Sequence, residues 1–276
     1  MKRSRFMAFL TLMIILAASV LQAAEKPPHA WEALSKESIS LYRKGDLPLA
    51  AEKAELALEI ASKADPPDQP SLAISMHTLA MIYRDQGRYI KAETLFRDST
   101  EIWTEIFGPG HPHVAAGNNN LAELYRIQGL FAKAEPLYRK AIEIYEKSLG
   151  PNSPDLATCI SNQALLYHDQ KQYAAAEPLY KKAIAIFEKN PYSGNNNIIF
   201  TLRNLAGLYC AQRKFTLAGP LYERALEISE KNLGPSHPEV AASLDSLAAL
   251  YRATNRKKEA LELQQRAAAI RNHTSP

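Results

Sequence analysis

Residues 120–129 read NLAELYRIQG, and after four further residues 134–150 read AEPLYRKAIEIYEKSLG. In the first stretch Leu121, Ala122, Leu124 and Tyr125 fall at the spacing that puts side chains on one face of a helix. Gly129 ends that helix in a tight turn. A second helix follows, with Phe131, Ala134, Leu137, Tyr138, Ala141 and Ile144 on one face and Gly150 as its stop. Pro136 sits early in it, where few upstream carbonyls are left without a partner, so a mild kink is expected rather than a break. The stretch is one helix–turn–helix unit.

The unit recurs. Tyr83, Tyr125, Tyr167, Tyr209 and Tyr251 stand 42 residues apart, and the same step joins Ala50, Ala92, Ala134, Ala176, Ala218 and Ala260. It also joins Ile60, Ile102, Ile144, Ile186, Ile228 and Ile270. Three residue columns in step define a tandem array. The first unit is one residue short, between Tyr42 and Gly45. Small residues hold two further columns: Ala80, Ala122, Ala164, Ala206 and Ala248 on the first helix, and Ala57, Ser99, Ala141, Ala183, Ala225 and Ala267 on the second. Small side chains let paired helices approach, and neighbouring aromatics fill the space between units. One unit cannot bury such a face alone, but a stack of units can.

Small–aromatic–small columns on a helix–turn–helix unit resemble the tetratricopeptide repeat. The 42-residue period with NLAELYRIQG…AEPLYRKAIEIYEKSLGP is similar to the kinesin-light-chain type of that repeat. The resemblance covers about Trp31 to Ile270 as six units. It implies an all-α fold, a right-handed superhelix of about six helix–turn–helix repeats. The expected organisation is a leader over 1–24, an array over 25–270 and a tail over 271–276. The repeats fall at about 28–70, 71–112, 113–154, 155–196, 197–238 and 239–270. Two units depart from the pattern. The fourth ends EKNPYSGNNN in place of Gly-Pro-x-x-Pro, and the sixth has Gln264 where the others have Phe96, Tyr138, Tyr180 and Tyr222. A polar residue there suits a terminal helix with no neighbour to cover it.

With Leu121, Ala122 and Tyr125 set toward the core, about 100° per residue places Ala116, Asn119, Asn120, Glu123, Arg126 and Ile127 on the opposite face. The resemblance implies that this face lines the concave side of the superhelix. Asn120 recurs as Asn162 and Asn204, with Thr78 and Ser246 beyond them. In related arrays such an asparagine column bonds the backbone of an extended peptide, and an amide has the donor and acceptor that a peptide group requires. Beside it run Arg84, Arg126, His168, Cys210 and Arg252, with Arg203 and His77 flanking. These arginines are expected to offer cationic points to a partner's carboxylates. Asp85, Glu123, Asp169 and Asp245 make the surface mixed in sign. The competing reading is that these polar residues simply solvate an exposed face.

The joints between units read GPGHPHV at 108–114, GPNSPDL at 150–156 and GPSHPEV at 234–240. Glycine suits the left-handed position past a helix end, and Pro112, Pro154 and Pro238 suit the first position of the next helix. Asp155 and Glu239 then complement the positive helix start. A phosphate loop would need a strand and a lysine, and a metal at His111 and His113 would need further ligands. The chain has no nucleophile-elbow, zinc-protease or phosphate-loop motif. No catalytic residue, metal ligand or cofactor is expected. Cys159 and Cys210 fall at opposite ends of equivalent helices, about 13 Å apart along the axis at helical rise, too far for a disulfide.

The N-terminus opens with basic MKRSR, continues with apolar Phe6–Leu21 and reaches small residues at Ala23 and Ala24. That is the pattern of a cleaved export signal, an uncleaved anchor being the alternative. Of 33 basic residues, Lys2, Arg3 and Arg5 lie in this leader, leaving 30 against 29 acidic ones. So balanced a charge gives no field for nucleic acid or an anionic membrane. The expected function is an exported, periplasmic or secreted, scaffold that binds a protein or peptide along its concave groove. The alternative is an assembly subunit that associates with itself through its ends or convex face.

Overall fold

A computed structural model describes residues 30–64, 66–190 and 196–274. They form twelve helices in pairs: α1 (Ala30–Lys44) with α2 (Leu47–Ser62), α3 (Gln69–Asp85) with α4 (Tyr89–Phe107), and α5 (Pro112–Ile127) with α6 (Phe131–Leu149). Then come α7 (Pro154–Asp169) with α8 (Tyr173–Glu188), α9 (Asn197–Ala211) with α10 (Phe215–Leu233), and α11 (Pro238–Ala253) with α12 (Lys257–Thr274). Among the described residues there is no strand, and the fold is all-α. The expected leader lies outside the described residues, as do 191–195 of the fourth unit's outgoing segment. Helix α12 continues four residues past Ile270, and Arg271 in its last turns is paired with Asp245 of α11.

Each reversal within a pair rests on one residue at positive φ. Gly45, Gly87 and Gly129 hold it in the first three pairs, and Lys171, Arg213 and Asn255, at φ 60–64°, hold it in the last three. The Gly129 N–H bonds the Arg126 carbonyl (2.9 Å) and the Leu130 N–H bonds the Tyr125 carbonyl (2.8 Å). This crossed pair satisfies carbonyls that the helix end leaves open. Lys171 and Gln172 repeat it on His168 and Tyr167, both at 2.8 Å.

Between pairs, Gly108, Gly150 and Gly234 take φ of 83–87°, and Pro112, Pro154 and Pro238 open the next helices. Ser153 caps α7 through its hydroxyl, and His111 and His237 cap α5 and α11 by accepting the His113 and Glu239 N–H groups on imidazole Nδ1. These stretches are helix stop–start joints. Helices α6, α8 and α10 run unbroken through Pro136, Pro178 and Pro220. All three prolines are exposed, so the carbonyl each leaves open can take water.

The chain divides into two compact units, 30–102 and 103–274 among the described residues. The first is packed with Ala50, Ala54, Ala57, Leu79, Ala80, Ile82 and Phe96. Trp31 donates to the Ser75 hydroxyl (2.7 Å) and Tyr42 to the Asp85 carboxylate (2.6 Å), tying α1 to α3. In the second unit Leu124, Tyr138, Leu156, Ile160, Tyr180, Leu202 and Leu208 are fully buried, and the alanine columns are sealed. Both thiols are free, Cys159 buried and Cys210 half-buried.

Candidate functional site

Within the second unit the first helices α5, α7, α9 and α11 lie side by side, each touching the next. The faces they leave uncovered carry the asparagine column, because the apolar stripe of each helix is turned into the core. Asn118 is buried and donates to the Val114 carbonyl (2.8 Å), while Asn119 and Asn120 are half-buried on the open face. Asn162 of α7 donates to Asn119 Oδ1 across the repeat boundary (3.1 Å), and Asn119 donates to Asn120 Oδ1 (3.3 Å). Asn204 of α9 is half-buried and its amide has no partner among the described residues. An amide has two N–H donors and two lone pairs, so one bond does not exhaust it.

The arginines are where the structure changes the sequence reading. Arg126 was expected to be open to a partner's carboxylate; it is gripped by Glu123 one turn earlier (2.7 Å) and by Asp169 of the next repeat. Burial works against its charge, but the Glu123 hydrogen bond and the two carboxylates hold its pKa above the ordinary guanidinium value. Arg203 meets Glu239 (3.0 Å) and lies over the Phe200 ring. The cause is the repeat itself: acids at 123, 169 and 239 stand one turn or one repeat away, within reach of the arginine fork. Arg252, exposed near the end of α11, has no partner among the described residues. Arg84 and His77 belong to the first unit. Arg84 is closed on Asp85 (2.7 Å), and half-buried His77 packs edge-on against Phe96, ring centres 5.3 Å apart.

Sequence reasoning missed the hydroxyls of the buried tyrosine column. Tyr138 donates to Glu123 (2.8 Å), completing the Arg126 network. One repeat on, Leu165 replaces Glu123, and the Tyr180 hydroxyl is buried without a partner. One repeat further stands Gly207, and the Tyr222 hydroxyl turns to Cys210 instead. Burial raises all three tyrosine pKa values, and it raises the Cys210 thiol as well, so these groups stay protonated near neutral pH. His168 is half-buried, its Nδ1 has no partner, and burial holds its pKa below the ordinary imidazole value although Asp169 opposes this. The signal was available, since a tyrosine in a core column has a polar tip that needs a partner. The face therefore has ion pairs from Arg126 to Asp169 and from Arg203 to Glu239, with hydrogen-bonding amides on α5, α7 and α9. It is suited to holding a polar chain by its backbone.

His111 and His113 lie together at the α5 joint, ring centres 4.9 Å apart, His111 stacked on Phe107 and His113 on Trp103. The His111 Nδ1 lone pair is committed to capping α5. No group of three metal-ligating side chains occurs among the described residues, and none of their helices is long and apolar enough to cross a membrane.

The tetratricopeptide repeat family model matches residues 113–189 and 197–273, and a second model of that description matches 72–113. No curated protein matches the chain. Among solved structures it is similar to BtubC (BKLC) from P. vanneervenii, at 24% identity over 87% of this chain and 92% of that one, TM-score 0.63. It is also similar to a putative kinesin light chain of nearly identical TPR-like repeats from Podosopora anserina, at 28% identity over 75% and 98%, TM-score 0.61. A Rap protein solved in complex with Competence and Sporulation Factor shares the fold at 15% identity over 92% and 77%, TM-score 0.66.

Proposed function

Because the chain belongs to the tetratricopeptide repeat family, whose arrays are protein-interaction scaffolds and generally not enzymes, we propose that it is an exported scaffold binding an extended peptide or protein segment along the face of α5, α7, α9 and α11. Asn119, Asn120, Asn162 and Asn204 bond the ligand's backbone. The observation that carries this reading is the row of half-buried amides on consecutive first helices, joined from Asn120 through Asn119 to Asn162 and open at Asn204. A face meant only for solvation has no need of amides partly withdrawn from water, since each loses hydration that a ligand's peptide groups restore. Arg126 and Arg203 serve the scaffold, bracing repeats through Glu123, Asp169 and Glu239.

Affinity capture from the exporting compartment tests this, with wild type compared against Asn120→Ala/Asn162→Ala/Asn204→Ala. Loss of the captured partner with an unchanged helical circular dichroism spectrum is expected, and undiminished recovery refutes the reading. Export rests on the leader pattern in residues 1–24. Mass spectrometry of the processed protein should find a new N-terminus next to Ala23 or Ala24.

A further inference from the structure

The first unit carries an open hollow of about 410 Å³ between α2 and α4. Buried Leu79 and Tyr83 of α3 form its floor, and half-buried Leu58 of α2 and Leu95 of α4 form its walls. Ile90 stands at its edge, 85% exposed. At that position later units have Ala132, Ala174, Thr216 and Lys258, so stacking does not call for a large apolar side chain. Isoleucine is a poorer helix former than alanine, and at this exposure it gains no burial in return. A lone exposed apolar residue needs no explanation, but one beside an apolar hollow is a knob next to a hole.

The hollow is a feature of the repeat, whereas its edge is particular to this unit. Three repeats on, between α8 and α10, the equivalent space of about 380 Å³ is floored by Leu205 and Tyr209. There the rim charges are closed within the chain, Lys181 on Glu177 and Arg224 on Glu188, both at 2.7 Å. In the first unit two rim charges of opposite sign are open. Glu55, on the α2 side, accepts the Tyr83 hydroxyl (2.5 Å), and Lys91, on the α4 side, lies over the Tyr83 ring (5.6 Å). Neither has an ion-pair partner among the described residues. Glu52 stands one turn before Glu55, and Arg88, just before α4, packs over the same ring (4.0 Å). The next carboxylates along the two helices are paired, Glu59 with Lys63 and Glu93 with Arg97. The rim is therefore acidic on its α2 side and basic on its α4 side.

A surface that holds a knob, a hole and one charge of each sign is complementary to itself. A two-fold axis parallel to the helices lays α4 of each copy over α2 of the other. Ile90 of each copy then enters the other's hollow, and Lys91 faces Glu55 of the other copy. We propose that this surface of the first unit is a two-fold symmetric contact between two copies of the chain. It stands independently of the groove on the second unit. Eight residues line the hollow, against the roughly 20–30 a side of a standard interface, so the dimer is a weak one that depends on concentration.

The test is sedimentation velocity of the full chain over about 5–500 µM, the range in which so small a contact populates a dimer. Wild type should move from monomer toward dimer as concentration rises. Ile90→Glu, at an exposed position, should keep its helical circular dichroism and weaken the dimer about a hundredfold, roughly tenfold for each isoleucine withdrawn from the contact. Glu55→Lys alone and Lys91→Glu alone should each stay monomeric, since each sets like charges against one another. An equal mixture of these two variants should dimerise, because opposite charges then meet at both contacts. Wild type that is monomeric throughout, or a dimer unaffected by Ile90→Glu, overturns the proposal. So does a mixture of folded charge variants that stays monomeric where wild type dimerises. Should Glu55→Lys lose its helical signal along with the Tyr83 bond, the comparison of wild type with Ile90→Glu decides alone.

Discussion

Lys171, Arg213 and Asn255 hold the same left-handed backbone as Gly45, Gly87 and Gly129, yet each carries a Cβ that this conformation crowds. The strain costs about 1–2 kcal/mol per residue, partly offset by the greater freedom glycine has when unfolded. Lys171→Gly is therefore expected to stabilise the protein by about 1 kcal/mol, seen as a higher urea midpoint; an unchanged or lower midpoint would count against the strain. The tyrosine column makes an opposed pair of predictions. Tyr138→Phe removes a hydroxyl bonded to Glu123 and should cost about 1 kcal/mol. Tyr180→Phe removes a buried hydroxyl that has no partner and should be neutral or stabilising. Equal losses in the two variants would show that the Tyr180 hydroxyl is satisfied after all. Both positions could be located from the 42-residue step. Their different energies could not, because they depend on whether residue 123 or 165 reaches the hydroxyl.

At the scale of helices, the joints and the clamp between repeats decide how α5 and α7 are held. Arg126 bridges them, its side chain 15% exposed, Glu123 19% and Asp169 35%. Arg126→Ala leaves the Glu123 and Asp169 carboxylates without their cation, and should destabilise by about 2 kcal/mol, below the cost for a fully buried pair because Asp169 is partly solvated. A double-mutant cycle with Asp169→Ala would measure the coupling, and additive losses would deny it. The histidines set a pH dependence. His113, by burial and then by His111 beside it, and His168, by burial, both have pKa values lowered from the usual 6.5. The unfolded chain therefore takes up protons first as pH falls. Stability from these residues is full above about pH 7, declines below about 6.5, and stops declining once pH drops under the folded-state values. Thermal melts between pH 7.5 and 5 should show the decline, and His113→Gln/His168→Gln should flatten it; a parent curve already flat in that window would refute the assignment.

For the molecule as a whole, repeat stacking predicts a gradient of protection. In the second unit α7 and α9 have first helices on both sides, whereas α12, the last described helix, has half-buried Gln264 where earlier units bury an aromatic. Hydrogen exchange should be slowest in α7 and α9 and fastest in α12, since each repeat draws its stability from its neighbours; uniform protection would speak against nearest-neighbour stacking. The helical pairs, their alanine columns, the stop–start joints and the asparagine row were all legible in the sequence by itself. Each depends on period and on residue types acting over a few positions, and a tandem repeat states them several times over. Tertiary structure alone decided which polar groups are spent. Arg126 is paired with Asp169 and Arg203 with Glu239, and Asn162 is bonded to Asn119 while Asn204 is open. The physical reason is distance. A hydrogen bond or ion pair forms only when side chains from different helices come within about 3 Å, and packing sets that separation.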